Sequence, residues 1–116
     1  MNKYTELSDF EINRRIAEID TKNRYVYFEK EQTIFRKFNN GQTQKFNPCN
    51  YPSDAMPIII DNKICTAFDV FAEEHDGGNW VASPAYGFAN ERTRSNNLYR
   101  AAMELFLLIK DAENEN

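Results

Sequence analysis

Ile12, Ile16 and Ile19 recur at helical spacing behind a polar opening, the pattern of an amphipathic helix with one buried stripe. Ser8 and Glu11 form an S-x-x-E capping box, and Asp9 sits where the helix dipole favours negative charge. Leu7 and Ile12 are spaced as a hydrophobic staple across that cap. The polar run "DTKN" predicts the end of this helix over 7–20.

The period then changes. "RYVYFE" (24–29) and "TIFRKF" (33–38) are rich in β-branched and aromatic residues and flank a polar "KEQ" region. They predict a hairpin, with "NNG" as a second turn and "TQKF" as a short third strand. Val26 and Phe28 share one face of the first strand, Tyr25 and Tyr27 the other; the period alone leaves open which face is wet.

Prolines in "NPCNYPSDAMPIIIDNK" mark a turn and then a second helix start. With Asp54 as N-cap, Pro57 occupies the third helical position, where no intrahelical donor is missed. A helix of about two turns ending near Asn62 follows from this placement. "ICTAFDVFA" (64–72) predicts a strand with Ile64, Thr66, Phe68 and Val70 on one face. Asp76-Gly77-Gly78-Asn79 is a strong turn signal that would pair this strand with about 79–83. Pro84, Gly87 and "ANERTRSNN" predict a loop. Residues 97–113 carry the longest helical pattern, capped by Asn96 or Asn97. Met103, Phe106 and Leu107 spread its apolar surface around most of the circumference, so it is either central or shared with another subunit.

The order α-β-β-(β)-α-β-β-α predicts an α+β fold, an antiparallel sheet of about four to five strands covered by three helices. The 116 residues read as a single domain, 1–116, with 111–116 as a frayed acidic tail. The longest apolar run, "AAMELFLLI", falls well short of the roughly 20 residues of a membrane span. "MNKYTELSDF" has no apolar core of a signal peptide. Cys49 and Cys65 form no CxxC pair, and free thiols in a reducing cytoplasm are expected, one or both buried.

Charge changes the picture by its distribution. Residues 14–45 carry eight Lys/Arg against four Asp/Glu, whereas 46–91 sum to −6. Tyr25, Tyr27, Arg36 and Lys37 lie in the basic stretch and, with Trp80, form a candidate binding surface. Basic aromatic surfaces bind single-stranded nucleic acid by stacking and charge. Interleaved Glu18, Asp20, Glu29 and Glu31 dilute this patch, so a sheet with aromatics inward and charges outward is favoured.

"AEEHDGGNW" (72–80) holds the single histidine beside three carboxylates. Neighbouring strand residues alternate faces, so Glu73 and Glu74 do not converge on one ion, and a polar turn is favoured over a metal or acid/base site. No cofactor, metal or catalytic set is expected. Asp54 and Arg100 suggest either an ion pair between two helices or a ligand contact. Arg100 lies in the first turn of its helix, where the dipole disfavours a cation, so it needs a partner. Trp80 is expected to pack under the hairpin.

"YTELSDFEINRRIAE", "NPCNYPSDAMPIIIDNKI" and "LYRAAMELFLLI" resemble the NinX-like family of small proteins from tailed bacteriophages of enteric bacteria and their prophages. Members are also described as phage alpha-beta-alpha sandwich domains. The resemblance implies that Pro52, Ser53, Asp54, Ala55, Pro57, Ile58 and Ile59 form the family's central motif, with Arg100 near the start of the last helix. It implies a setting in the cytoplasm of a host bacterial cell rather than a reaction. The leading expectation is a non-enzymatic accessory protein that binds a phage or host protein, as a monomer or as a homodimer through the last helix. A nucleic-acid binder using 14–45 is second, and an enzyme third.

Overall fold

The computed structural model describes residues 2–84 and 91–114. Helix α1 (Asp9–Asp20) begins as its sequence dictates: the Glu11 N–H donates to the Ser8 hydroxyl at 3.1 Å, and the Glu11 carboxylate accepts from the Ser8 N–H. Lys22 and Asn23 take left-handed backbone after it and turn the chain into the first sheet. Phe10, Ile12, Ile16 and Ala17 are buried on this helix, but Ile19, expected in the same stripe, is 40% exposed.

The antiparallel hairpin of β1 (Tyr25–Phe28) and β2 (Thr33–Lys37) is present, and β3 (Thr43–Lys45) pairs with β2 as the third strand. Tyr25 and Tyr27 face α1. The Phe10 and Tyr27 rings lie 6.5 Å apart, and the Tyr25 hydroxyl donates to Glu18 at 3.2 Å.

Helix α2 (Pro52–Asp61) starts earlier than expected. Tyr51 is the N-cap and Pro52 the first helical residue, where its missing N–H costs nothing. Asp54 is therefore inside the first turn rather than at the cap. Its carboxylate accepts the Asn47 N–H at 2.9 Å and ties the preceding loop to the helix. Pro57 lies within α2, so the Ser53 carbonyl has no intrahelical donor, a cost softened by the exposure of Ser53 to water. Asn62 ends the helix as expected, its side chain donating to the Ile58 carbonyl.

The second sheet has the order β4 (Cys65–Phe68), β5 (Trp80–Ser83), β6 (Thr93–Ser95), antiparallel throughout. β4 stops at Phe68, so Val70 lies beyond the strand expected to hold it. Between β4 and β5 the chain makes a 3-10 turn, Glu74–Asp76, closed by Gly77 at φ 99°. The predicted turn is there. β6 was expected as loop. It pairs with β5 and buries Thr93, whose hydroxyl donates to the Ala101 carbonyl at 2.6 Å. The loop expectation for 85–90 lies outside the described residues.

Helix α3 (Leu98–Glu113) is capped by Asn97, whose side chain accepts from the Tyr99 and Arg100 N–H groups. Helical structure continues through Glu113, so residues 111–113 of the stretch expected as a frayed tail belong to α3. Residues 101–107 are all buried, because α3 packs on β5 and β6 and also on α1 and α2. It is central. α1 in turn packs on β2 and β1, so helices join the two sheets. The class is α+β, but the single sheet expected is divided into two of three strands each.

Candidate functional site

Arg100 stands at the junction of the N-terminal segment, α1 and α3. Its Nη1 donates to Asp9 at 2.7 Å and its Nε to Glu104 at 2.7 Å, one helical turn on. Nη2 donates to the backbone carbonyls of Tyr4 at 3.0 Å and Leu7 at 2.8 Å. The side chain is 12% exposed and that of Glu104 only 4%. Burial works against the Arg100 charge, but hydrogen bonds to Asp9 and Glu104 outweigh it and raise its pKa. The partner demanded by its place in the first turn is thus Asp9 with Glu104, not Asp54.

The family motif adjoins this junction through asparagines. Asn13 of α1 is buried; it donates to the Asn47 side chain at 2.7 Å and accepts the Cys49 N–H at 3.0 Å. Asn50 donates to Asp9 at 3.2 Å, and Asn97 donates to the Cys49 carbonyl at 2.9 Å. The loop before α2 is therefore bonded to both α1 and α3. Ala55, Ile58 and Ile59 are buried in the core, whereas Pro52, Ser53 and Pro57 are exposed. The loop and α2 build a seam between helices, to which the motif contributes the Asp54 carboxylate and the buried Ala55, Ile58 and Ile59.

A cleft of about 350 Å³ opens beside Arg100, lined by Thr5, Asp9, Arg94, Asn97 and Glu104 among others. Its cations are engaged. Arg94 holds Asp69 at 3.0 Å and donates to the Gly78 carbonyl, while Arg100 is bonded as described. Arg94 and the Phe71 N–H together hold the Asp69 carboxyl below its ordinary range.

Arg14, Arg24 and Arg36 around the basic aromatic hairpin are engaged by neighbouring side chains, although the Arg14 Nε is buried without a hydrogen-bond partner among the described residues. The Arg14 guanidinium lies 3.9 Å over the Tyr27 ring and donates to its hydroxyl at 3.0 Å. Arg36 sits 3.7 Å from Asp20 and 5.4 Å over Phe46, Arg24 bonds Asn39, and Lys37 is exposed. Tyr25, Tyr27, Arg36 and Lys37 belong to the first sheet, while Trp80 lies on β5 of the second, so the five do not form one surface. Trp80 is half-buried on β5 and meets its cross-strand neighbour Phe68 edge-on at 5.1 Å.

His75 lies on the 3-10 turn with its side chain 76% exposed, 3.6 Å from Glu73 and 3.5 Å from Asp76. Cys49 is fully buried and burial pushes its thiol pKa up, whereas Cys65 is exposed on β4. Among the described residues no three His, Cys, Asp or Glu side chains are placed to hold a metal ion. No helix among them is long and apolar enough to cross a membrane.

One exposed feature was not singled out from the sequence. Phe68, Val70 and Phe71 are 52%, 68% and 88% exposed, at the end of β4 and just beyond it. The sequence signal for it was the apolar character of "ICTAFDVFA", which continues past Asp69 beyond what a half-buried strand needs.

The family model described as Bacteriophage P22, NinX matches residues 3–110. The chain belongs to this NinX family. No curated protein and no solved structure matches it. Family membership makes it a phage accessory protein, and the matched span takes in the seam, both sheets and all but the last three residues of the central helix.

Proposed function

We propose that this NinX-family protein is a non-enzymatic accessory factor that binds another protein in the cytoplasm of the host cell. The observation that carries this reading is the exposure of Phe68, Val70 and Phe71 in one short stretch. Scattered exposed apolar residues are ordinary on a protein surface, but adjacent large ones mark interaction sites. The burial of residues 101–107 supports a monomer over a homodimer through the last helix. Engagement of Arg14, Arg24 and Arg36 within the first sheet and α1 favours protein over nucleic acid as the partner.

The test is affinity capture from cells carrying the phage, comparing the wild-type chain with Val70→Ser/Phe71→Ser. A specific partner retained by the first and lost by the second is the expected result. Equal capture by both would refute the assigned surface. Gel-shift at low salt is expected to show no association with single-stranded DNA or RNA.

A further inference from the structure

β4 is an outer strand, with no strand on its far side among the described residues. The Asp69 N–H donates to the Asn79 carbonyl at 2.7 Å, which makes 69 and 79 a bonded pair of the antiparallel ladder. In the register Ala67↔Val81 and Cys65↔Ser83, those residues are bonded pairs of the same kind. The alternation then turns the N–H and C=O groups of Thr66 and Phe68 away from β5. All four residues of β4 are exposed.

Natural edges are usually blunted by charge, proline or a bulge. β3 carries Lys45 and β6 carries Arg94, and the tyrosines of β1 are held against α1 by Arg14 and Glu18. β4, Cys-Thr-Ala-Phe, has no such device. Exposed Val70 and Phe71 follow it after Asp69. The surrounding stretch 61–76 carries five carboxylates against one lysine and one histidine.

We infer that the β4 edge receives an extended partner segment in which basic and apolar residues alternate, added to the second sheet as a further strand. This rests on the protein-binding reading above and specifies its mode. The outward main-chain groups of Thr66 and Phe68 supply the hydrogen bonds of strand addition, and Phe68, Val70 and Phe71 contact the apolar side chains. The carboxylates of Asp61, Glu73, Glu74 and Asp76 select basic ones by charge complementarity, Asp69 being already held by Arg94. A second copy would oppose one acidic stretch to another, which disfavours self-pairing.

The test uses the full chain, nitrogen-15 labelled, with a short peptide of alternating lysine and valine as probe. Amide exchange at Thr66 and Phe68 is expected to slow by on the order of tenfold or more, because local opening must now break the new bonds. A glutamate–valine peptide is expected to leave it unchanged. Thr66→Pro removes a donor that β5 does not use, so the sheet persists, as Trp80 emission will report, and the slowing disappears. No slowing with the lysine–valine peptide, or equal slowing with the acidic one, overturns the inference. Slowing that rises with protein concentration alone also overturns it and makes a second copy the occupant. If Thr66→Pro captures the cellular partner as well as wild type while Val70→Ser/Phe71→Ser does not, strand addition falls and the protein-binding reading stands.

Discussion

Arg100 directs its guanidinium at two carboxylates and at carbonyls of the N-terminal segment, and Glu104 beneath it is nearly enclosed. Removing one member of such a buried pair leaves the other charge stranded, at a cost of about 3–5 kcal/mol. Arg100→Ala is expected to lower unfolding stability in urea by that amount; a loss below about 1 kcal/mol would mean the seam is peripheral, as exposed pairs are. Tyr4 gives the corresponding pH dependence. Burial, then the hydrogen bond its hydroxyl donates to Asp111, pushes its pKa up to about 12 from 10.0. A group whose pKa is raised by folding stabilises the folded chain fully below its unfolded value. The contribution is lost as pH rises through the folded value. Stability is therefore expected to fall between about pH 10 and 12, and Tyr4→Phe to remove that part of the decline, read from unfolding midpoints across the range. An unchanged alkaline slope in Tyr4→Phe would contradict the assignment.

At the scale of elements, legibility follows how local the deciding interactions are. The start of α1 was readable because Ser8 and Glu11 satisfy each other within one turn. The turn at 76–79 was readable because only glycine tolerates its backbone. Gly78 takes φ 138°, and a Cβ there would lie 2.2 Å from the Ser95 carbonyl carbon. Gly78→Ala is expected to cost about 1–3 kcal/mol in strain, checked by thermal unfolding; a neutral substitution would show that the β4–β5 connection relaxes freely. The start of α2 was misplaced because Asp54 looks like a local cap but accepts from Asn47, seven residues back, while Pro52 takes the first helical position. β6 escaped notice because "TRS" is polar and only Thr93 turns inward, onto a carbonyl of α3. The seam was half legible: Arg100 declared its need of a partner, but nothing local identified Asp9, 91 positions away.

Across the whole molecule, α3 is the shared layer on which the second sheet and the other two helices rest, and α1 carries the first sheet. That division was hidden in the sequence because hydrophobic period defines strands but not their neighbours. The breadth of the apolar surface on α3 was legible, and its central position explains it. The end of β4 stands apart from this packing. Val70→Ser/Phe71→Ser is accordingly expected to change stability by no more than about 0.5 kcal/mol, as surface substitutions do, and a larger loss would place these side chains in the core instead. The most direct test of the central claim is photo-crosslinking in cells carrying the phage, with the reactive group placed at Phe71 or, for comparison, at exposed Lys30. Discrete protein adducts from position 71 and none from position 30 are predicted. Adducts from position 30 alone, or the same background from both, would contradict the account.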